Sequence, residues 1–400
     1  MSQGIGGSTA EKELATLERW PQQASRISAE ERAHRLKRAR ALMAEVGADA
    51  LIVNAGASLR YFSGLAWWPS ERLVAMILRA SGAPIVVCPQ FELGSVRAGL
   101  GIDAEVRTWE EHENPYALVA DALREQGTTH VALDPQAPYF IAEGLRRALG
   151  GIALVDGTAV IDGCRMRKSQ AELALIRQAM AMTLDVQRRA AAILAPGIST
   201  GAVRRFIDEA HRAVGADGGS TFCAVQFGEA TCYPHGVPGE QYLAEGDVVL
   251  IDTGCQFDGY NSDITRTYVF GKPTQAQADV WRLERDAQQA AFDAVRPGVP
   301  CEAIDATARR VLERAGYGPD YRLPGLPHRT GHGIGMSIHE PAYLVRGDTT
   351  PLAQGMCFSN EPMIVVPGHF GIRLEDHFHV TERGAEWFTP PAASLSAPFG

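Results

Sequence analysis

The second half of this chain carries one pattern twice. Ala191-Ala192-Ile193-Leu194-Ala195-Pro196-Gly197-Ile198 matches Ala291-Phe292-Asp293-Ala294-Val295-Arg296-Pro297-Gly298-Val299 in pattern, and each ends a long helix at Pro-Gly. A second helix is predicted after each, closing near Gly215 and near Gly316. Further on, Leu243-Ala244-Glu245-Gly246-Asp247 matches Leu352-Ala353-Gln354-Gly355-Met356. The first leads by a strand to Asp252, the second by a strand to Glu361. Pro-Gly punctuation recurs by chance, because both residues commonly mark helix ends. Four elements repeated in one order argue instead for a duplicated unit whose two hairpins pair about a pseudo-two-fold axis.

Each hairpin brings two carboxylates. Asp252 ends the apolar run Val248 to Ile251, Asp263 opens the β-branched run Ile264 to Val269, and Asp258-Gly259 between them is a strong hairpin signal. Glu361 and Glu375 repeat the arrangement around Val365-Val366-Pro367-Gly368. Taken singly, an acidic residue at a strand end is usually a turn former or lies on the solvated face. Four carboxylates facing one another repel strongly unless cations lie between them. With His332, in Gly331-His332-Gly333-Ile334-Gly335, they make an oxygen-rich set with one nitrogen. Four such charges neutralise two divalent cations. Mn²⁺ suits this set best, and Zn²⁺ or Co²⁺ also fit.

The first half reads differently. A helix is expected from Ser28 to about Val46, with Ser28 as its cap and Glu31 three residues on. Strands are expected at 49–53, 75–79, 84–88 and 130–134, with Ser81-Gly82 as a turn. Strands alternating with helices argue an α/β layer domain. The predicted division is an N-terminal domain over residues 1–164 and a catalytic domain over 165–400. A net charge of −9 with no basic stripe disfavours a nucleic-acid partner, and no apolar run reaches membrane-span length. The start of the chain lacks the basic and apolar regions of a signal peptide. Seven cysteines without a Cys-x-x-Cys pair predict reduced thiols and a cytoplasmic location. Among them Cys255, close to Asp252, reads as reactive or as a small buried apolar residue.

Asp252-x-Gly254, Ser262-Asp263-Ile264-Thr265-Arg266-Thr267, Gly331-His332-Gly333-Ile334-Gly335 and Glu361-Pro362 resemble the pita-bread metallopeptidases: prolidase, aminopeptidase P and methionine aminopeptidase. The resemblance covers residues 165–390 closely and the N-terminal domain more loosely. It implies an α/β chain with an N-terminal creatinase-like domain and a C-terminal pita-bread domain built on a pseudo-two-fold repeat. A domain of this kind ahead of the site is similar to prolidase and aminopeptidase P. The ligand set it implies is Asp252, Asp263, His332, Glu361 and Glu375. It also implies that His235 lies near the scissile bond, that His339 contacts the substrate proline or the tetrahedral intermediate, and that His328 lines the same pocket. Each of these histidines taken alone is more often structural.

Arg373 sits two residues before Glu375, on the same strand face. It is expected to hold a metal-ligating carboxylate or the C-terminus of a dipeptide, or to form a salt bridge with no catalytic role. One position departs from the family pattern. Prolidase-like enzymes commonly carry Tyr four residues after the first glutamate, where this chain has Val365. Tyr233 is the expected substitute donor, or else packs at the base of its loop.

The resemblance implies dinuclear-metal hydrolysis of the peptide bond before proline in Xaa-Pro dipeptides, with Glu361 moving a proton to the leaving nitrogen. The alternatives are aminopeptidase P activity on longer Xaa-Pro-Xaa peptides, or a non-peptidase C–N hydrolase of the same fold. A homodimer is also expected, with Trp67-Trp68-Pro69 either at its interface or packed in the core.

Overall fold

The computed structural model describes residues 4–20 and 24–399. Residues Ile27–Arg165 form one unit, built on a mixed six-stranded sheet. Its strands are β1 (Ala50–Asn54), β2 (Ala75–Arg79), β3 (Ile85–Pro89), β4 (Glu105–Trp109), β5 (His130–Leu133) and β6 (Ala153–Asp156), in the order β4-β3-β2-β1-β5-β6. The expected helix is present at Ala29–Glu45, with Ser28 Oγ accepting from Glu31 N at 3.1 Å. Four strands fall where the apolar runs predict them. The two that the sequence hides, β4 and β6, are the sheet's edges. Glu105 and Arg107 on β4 give it no continuous apolar run, as suits an edge strand.

The second unit comprises residues 166 onward, joined by the start of the chain. In this grouping the opening residues go with the second unit, whereas the expected division places them with the first. Gly6 N and Ser8 N donate to Ala191 O and Ala192 O at 2.9 and 3.0 Å, and Trp20 N donates to Val214 O at 3.1 Å. Those carbonyls end the helices Gln170–Ala192 and Thr200–Val214. Terminal carbonyls have no intrahelical partner. The opening segment supplies partners, a role that no periodicity in its sequence announces.

The duplication is visible bond by bond. Gly197 N donates to Leu243 O at 2.7 Å, and Gly298 N to Leu352 O at 2.8 Å. Leu243 N and Leu352 N return bonds to Ile198 O and Val299 O at 3.0 and 2.9 Å. The first repeat runs through helices 170–192 and 200–214 to β7 (Ser220–Phe227), β8 (Val248–Phe257), β9 (Tyr260–Asn261) and β10 (Ile264–Val269). The second runs through helices Gln275–Asp293 and Cys301–Arg314 to β11 (Gly331–Gly333), β12 (Glu340–Leu344), β13 (Cys357–Asn360), β14 (Met363–Val366), β15 (Phe370–Arg373), β16 (Asp376–Val380) and β17 (Ala385–Trp387). A buried glutamine spans each hairpin. Gln187 Nε2 donates to Ile251 O and Ile264 O, both at 2.9 Å, while Gln288 Nε2 reaches Asn360 O at 3.2 Å and Leu374 O at 3.1 Å.

A buried polar chain ties the first repeat's helices to the loop before β10. His211 is 0 % exposed, with Nδ1 2.8 Å from Ser220 Oγ and Nε2 3.1 Å from Thr183 Oγ1. Thr183 Oγ1 lies 2.7 Å from Ser262 Oγ, next to Asp263 in sequence. Burial lowers the His211 pKa from 6.5 to about 4, against a smaller pull upward from Asp208. A depressed folded pKa contributes stability that is present above pH 6.5 and lost as pH falls through the folded value near 4. Urea unfolding should therefore show about 2 kcal/mol of stability lost through His211 between about pH 7.5 and about pH 5. His211→Gln should flatten that part of the profile. Parallel profiles for wild type and variant would remove His211 from the acid response.

Candidate metal centre

The first hairpin turns at Asp258 (φ 48°) and Gly259 (φ 81°), the two-residue turn that the sequence predicts. Gln256 pairs with Asn261 and Phe257 with Tyr260 across it. Asp252 lies opposite Thr265, so Asp263, just ahead of β10, comes two residues before the position that directly faces Asp252. In the second hairpin, Asn360 pairs with Asp376 and Met363 with Arg373. Glu361 and Glu375 lie between those pairs and therefore face each other. The hairpins meet where Thr265 bridges Glu375: Glu375 N donates to Thr265 O at 3.1 Å, and Thr265 Oγ1 donates to Glu375 Oε2 at 2.6 Å.

His332 reaches the cluster on β11, between β12 and β13. A Cβ at Gly331 or Gly333 would collide with Ser359 O or Glu340 O, which is why glycines flank this histidine. His332 Nδ1 lies 3.0 Å from Gly333 O, which leaves Nε2 3.2 Å from Glu361 Oε1 and 3.6 Å from Asp263 Oδ2. Ser359 Oγ accepts from His332 N at 2.9 Å and donates to Glu361 Oε1 at 3.0 Å, so one hydroxyl positions both.

The five expected ligands thus converge. They line one cavity of about 520 Å³ together with His235, His328, His339, Arg373, Arg329, Phe222, Pro234, Pro327 and Ile338. Asp263 is 4 % exposed and Glu375 1 %. Burial, with Glu375 and Asp252 alongside, pushes Asp263 well above the usual carboxylate range. Burial, with Glu361 and Asp252, does the same to Glu375. Burial raises Asp252 as well, against the pull of Arg373. Glu361 goes the other way: burial alone would raise it, but the hydrogen bond and charge of His332, with His328 and Arg373, hold it low.

Asp252 Oδ1, Asp263 Oδ1 and Glu375 Oε1 are buried without a hydrogen-bond partner. Ligand atoms of Asp263, His332, Glu375 and His377 lie within 4.8 Å of one another. Unsatisfied carboxylate oxygens beside imidazole nitrogens are the donor set of a divalent cation such as Mn²⁺, Co²⁺ or Zn²⁺. The residues fit the ions that the sequence implies.

Three expectations need correcting or narrowing. Arg373 does not have a free fork for a dipeptide C-terminus. Its Nη2 donates to Asp252 Oδ2 at 2.5 Å, Nε to Thr265 Oγ1 at 3.1 Å and Nη1 to Pro234 O at 3.2 Å. It holds a ligand instead. Tyr233 is 51 % exposed and is not among the residues lining the cavity, so its phenol is not placed as an oxyanion donor. Val365 is 2 % exposed in the apolar core, where it pairs with Gly371, and nothing polar stands in for a tyrosine there. Cys255 is the small buried residue rather than a reactive one, its thiol raised by burial.

The histidines divide by setting. His235 and His339 are exposed to the cavity. The His339 ring lies 4.0 Å from that of His332, and partial burial and His332 lower its pKa to about 4. His328 is more enclosed, with Nδ1 2.7 Å from Arg329 O and Nε2 unpartnered. Sequence reasoning missed two residues. Arg329 stacks on Tyr343 at 4.5 Å and brings Nη2 to 3.4 Å from His339 Nδ1. His377 is fully buried, and burial and His332 hold it well below the usual imidazole range. Its position two residues after Glu375 was the available signal, since alternate strand residues share a face.

Residues 174–382 match the model of metallopeptidase family M24, and residues 35–167 match that of the creatinase/prolidase N-terminal domain. The chain is 38% identical over 365 residues to a probable dipeptidase, PepE, of Mycobacterium bovis, a match that covers 90% of this chain and 95% of the relative. Among solved structures, the dipeptidase PepE from Mycobacterium ulcerans superposes with a TM-score of 0.83 at 38% identity, over 92% of this chain and 97% of that one. Prolidase from Thermococcus sibiricus gives 0.82 at 28% identity, over 90% of this chain and 96% of that one. Fold and residue cluster together are those of a family of metallopeptidases. The chain belongs to metallopeptidase family M24 and carries a creatinase/prolidase N-terminal domain.

The crowded carboxylates give a thermal test. Asp263→Asn keeps the shape of the side chain and removes one charge from the cluster. In chelator it should melt at or above the wild-type temperature, yet gain nothing from added Mn²⁺. Wild type should gain about 2.7 kcal/mol at a Mn²⁺ concentration about 100 times its Kd. Scanning calorimetry decides, and a wild-type response to Mn²⁺ in the variant removes Asp263 from the ligand set.

Proposed function

We propose that this chain hydrolyses the peptide bond preceding proline in Xaa-Pro dipeptides, using two divalent ions held by Asp252, Asp263, His332, Glu361 and Glu375. Mn²⁺ is the simplest choice for that set, with Zn²⁺ or Co²⁺ as substitutes. The observation that carries the reading is the convergence of these five residues on one cavity, with three carboxylate oxygens left unsatisfied. Bound there, the ions supply an acidified water near neutral pH and polarise the scissile carbonyl.

The chain's own groups do the rest. Glu361 is held on one oxygen by His332 and Ser359, and its other oxygen carries the proton to the leaving nitrogen. His235 and His339, at the cavity wall, meet the oxyanion and the proline end. Arg373 aims Asp252 and opposes the rise in its pKa that burial causes. Arg329 is the cavity's other guanidinium, and it is the group left to meet a dipeptide's C-terminal carboxylate. A proline nitrogen carries no N–H once acylated, so a site for this bond must recognise the ring rather than an amide donor.

Reconstitution with Mn²⁺, Co²⁺ or Zn²⁺ followed by assays on Xaa-Pro and Xaa-Pro-Xaa tests this. Near two ions per chain and a higher kcat/KM for the dipeptide are expected, with Asp263→Ala losing at least one ion and the activity. Preference for the tripeptide would make the chain an aminopeptidase P in action. Full turnover in Asp263→Ala, or no cleavage of either substrate, would overturn the metal-dependent reading.

We also propose that the chain works as a homodimer in the cytoplasm. Free thiols at all seven cysteines support a reducing compartment. No described helix is long and apolar enough to cross a membrane. Trp68 is 84 % exposed, which removes the core-packing alternative for it and leaves a large apolar group for a second copy to cover. Light scattering should give twice the chain mass, falling toward one chain mass in Trp68→Glu. A monomeric wild type at working concentration overturns the dimer.

A further inference from the structure

His377 has no role in the reading above, yet it occupies the floor of the same cluster. It is 0 % exposed, and neither ring nitrogen makes a hydrogen bond of ordinary geometry, although the Asp263 backbone lies near enough to favour its charged form. A buried imidazole so poorly satisfied is costly, and a bound cation would satisfy it. Its position is fixed from three sides. β16 pairs with β13 so that His377 faces Ser359, the residue that positions His332 and Glu361. Asp376, on the opposite face of the strand, is locked to Arg266 at 2.7 Å, with both side chains 0 % exposed. Glu375, two residues before His377 on its own face, is tied to Thr265. The His332 and His377 rings lie 5.9 Å apart at 65°, a separation that leaves room for an ion to contact both.

We propose that His377 is a sixth metal donor, joining Asp263, His332 and Glu375 to give one of the two metal positions two imidazole nitrogens. The inference rests on the metal-centre reading of the cavity and refines it. Donor atoms from these four side chains lie within 4.8 Å of one another. Asp263 and Glu375 each keep a buried oxygen without a partner for the same ion. The two positions then differ in kind. The one near Asp252 is all oxygen, whereas the one near His332 has two nitrogens. Imidazole donors favour Zn²⁺ and Co²⁺ over Mn²⁺, so the second position should discriminate against Mn²⁺.

The test uses the full chain loaded with Co²⁺. Paramagnetic proton NMR reports each ligated imidazole as a hyperfine-shifted, exchangeable ring N–H resonance. Two such resonances are expected in wild type, one from His332 and one from His377. His377→Leu should lose one of them and bind its second Co²⁺ more weakly by more than the roughly 10–100-fold that loss of an outer hydrogen-bond partner costs. The first ion's affinity, measured by titration calorimetry, should stay within a few-fold of wild type. His377→Asn serves where the leucine variant does not fold. In wild type, competition should show Zn²⁺ displacing Mn²⁺ at one position far more readily than at the other.

Two kinds of failure are distinguishable. If wild type binds two ions but shows one shifted imidazole resonance, His377 is not a donor and the metal-centre reading stands. Unchanged affinity at both positions in the His377 variants likewise removes His377 and leaves the metal centre in place. If wild type binds no divalent ion, the metal centre itself falls and the sixth donor falls with it.

Discussion

The mutual repulsion of four crowded carboxylates, two buried and two partly buried, is the constraint on which this site is built. Asp252, Asp263, Glu361 and Glu375 share one cavity, where Arg373 is bonded to Asp252. At these distances in a poorly hydrated interior, like charges interact strongly enough to shift protonation or to drive the groups apart. The protein resists the second outcome with rigid supports. Thr265 ties Glu375 to the other hairpin, Ser359 fixes His332 and Glu361, and Arg373 spends all three of its nitrogens on Asp252, Thr265 and Pro234. What is left unsatisfied is one oxygen on each of three carboxylates, the valence a cation would fill.

Duplication explains how such a cluster is reached from sequence. One helix–helix–hairpin unit delivers two carboxylates on paired strands, and two units facing each other deliver four. The copies are not equivalent. Asp252 and Asp263 are offset by two residues across their hairpin, whereas Glu361 and Glu375 face each other directly. The two imidazoles grouped with Asp263 and Glu375, those of His332 and His377, both come from the second repeat, where β11 threads between two strands on glycines and β16 lies beyond β13.

Much of this is legible in the chain. The Pro-Gly helix ends, Asp258-Gly259 and the matched Leu-Ala-x-Gly segments each mark a local backbone event, and each appears in the structure at its predicted place. The four carboxylates and His332 are readable because apolar runs, turn residues or flanking glycines punctuate their segments. Three kinds of information are not local. The first 26 residues read as part of the N-terminal domain, yet their described part caps helix ends of the other unit. The edge strand β4 lacks a continuous apolar run because edges face water, and the run at the other edge, Ile152 to Val155, is only four residues long. Tyr233 and Arg373 have the right chemistry for substrate contact, but exposure and existing partners are not written in the sequence: Tyr233 is half exposed, and Arg373 is already bonded to Asp252.

His377 shows why the last category matters most. Three consecutive polar residues, Glu375-Asp376-His377, offer no apolar anchor from which to read which of them face the site. The alternation of a strand sends the outer two one way and the middle one the other. Register decides, and a one-residue slip would bring Asp376 into the cluster and take both Glu375 and His377 out. The pin is on the far face. Asp376 accepts from Arg266 Nη2 at 2.7 Å and from Gln288 Nε2 at 3.1 Å, and Arg266 Nη1 donates to Glu375 O at 3.0 Å. Breaking a buried ion pair of this kind costs about 3–5 kcal/mol, more than any slipped arrangement recovers from a few backbone bonds at about 1 kcal/mol each. Which of these three side chains face the cluster is thus set by an ion pair on the far side of the strand, itself bonded to the Glu375 backbone.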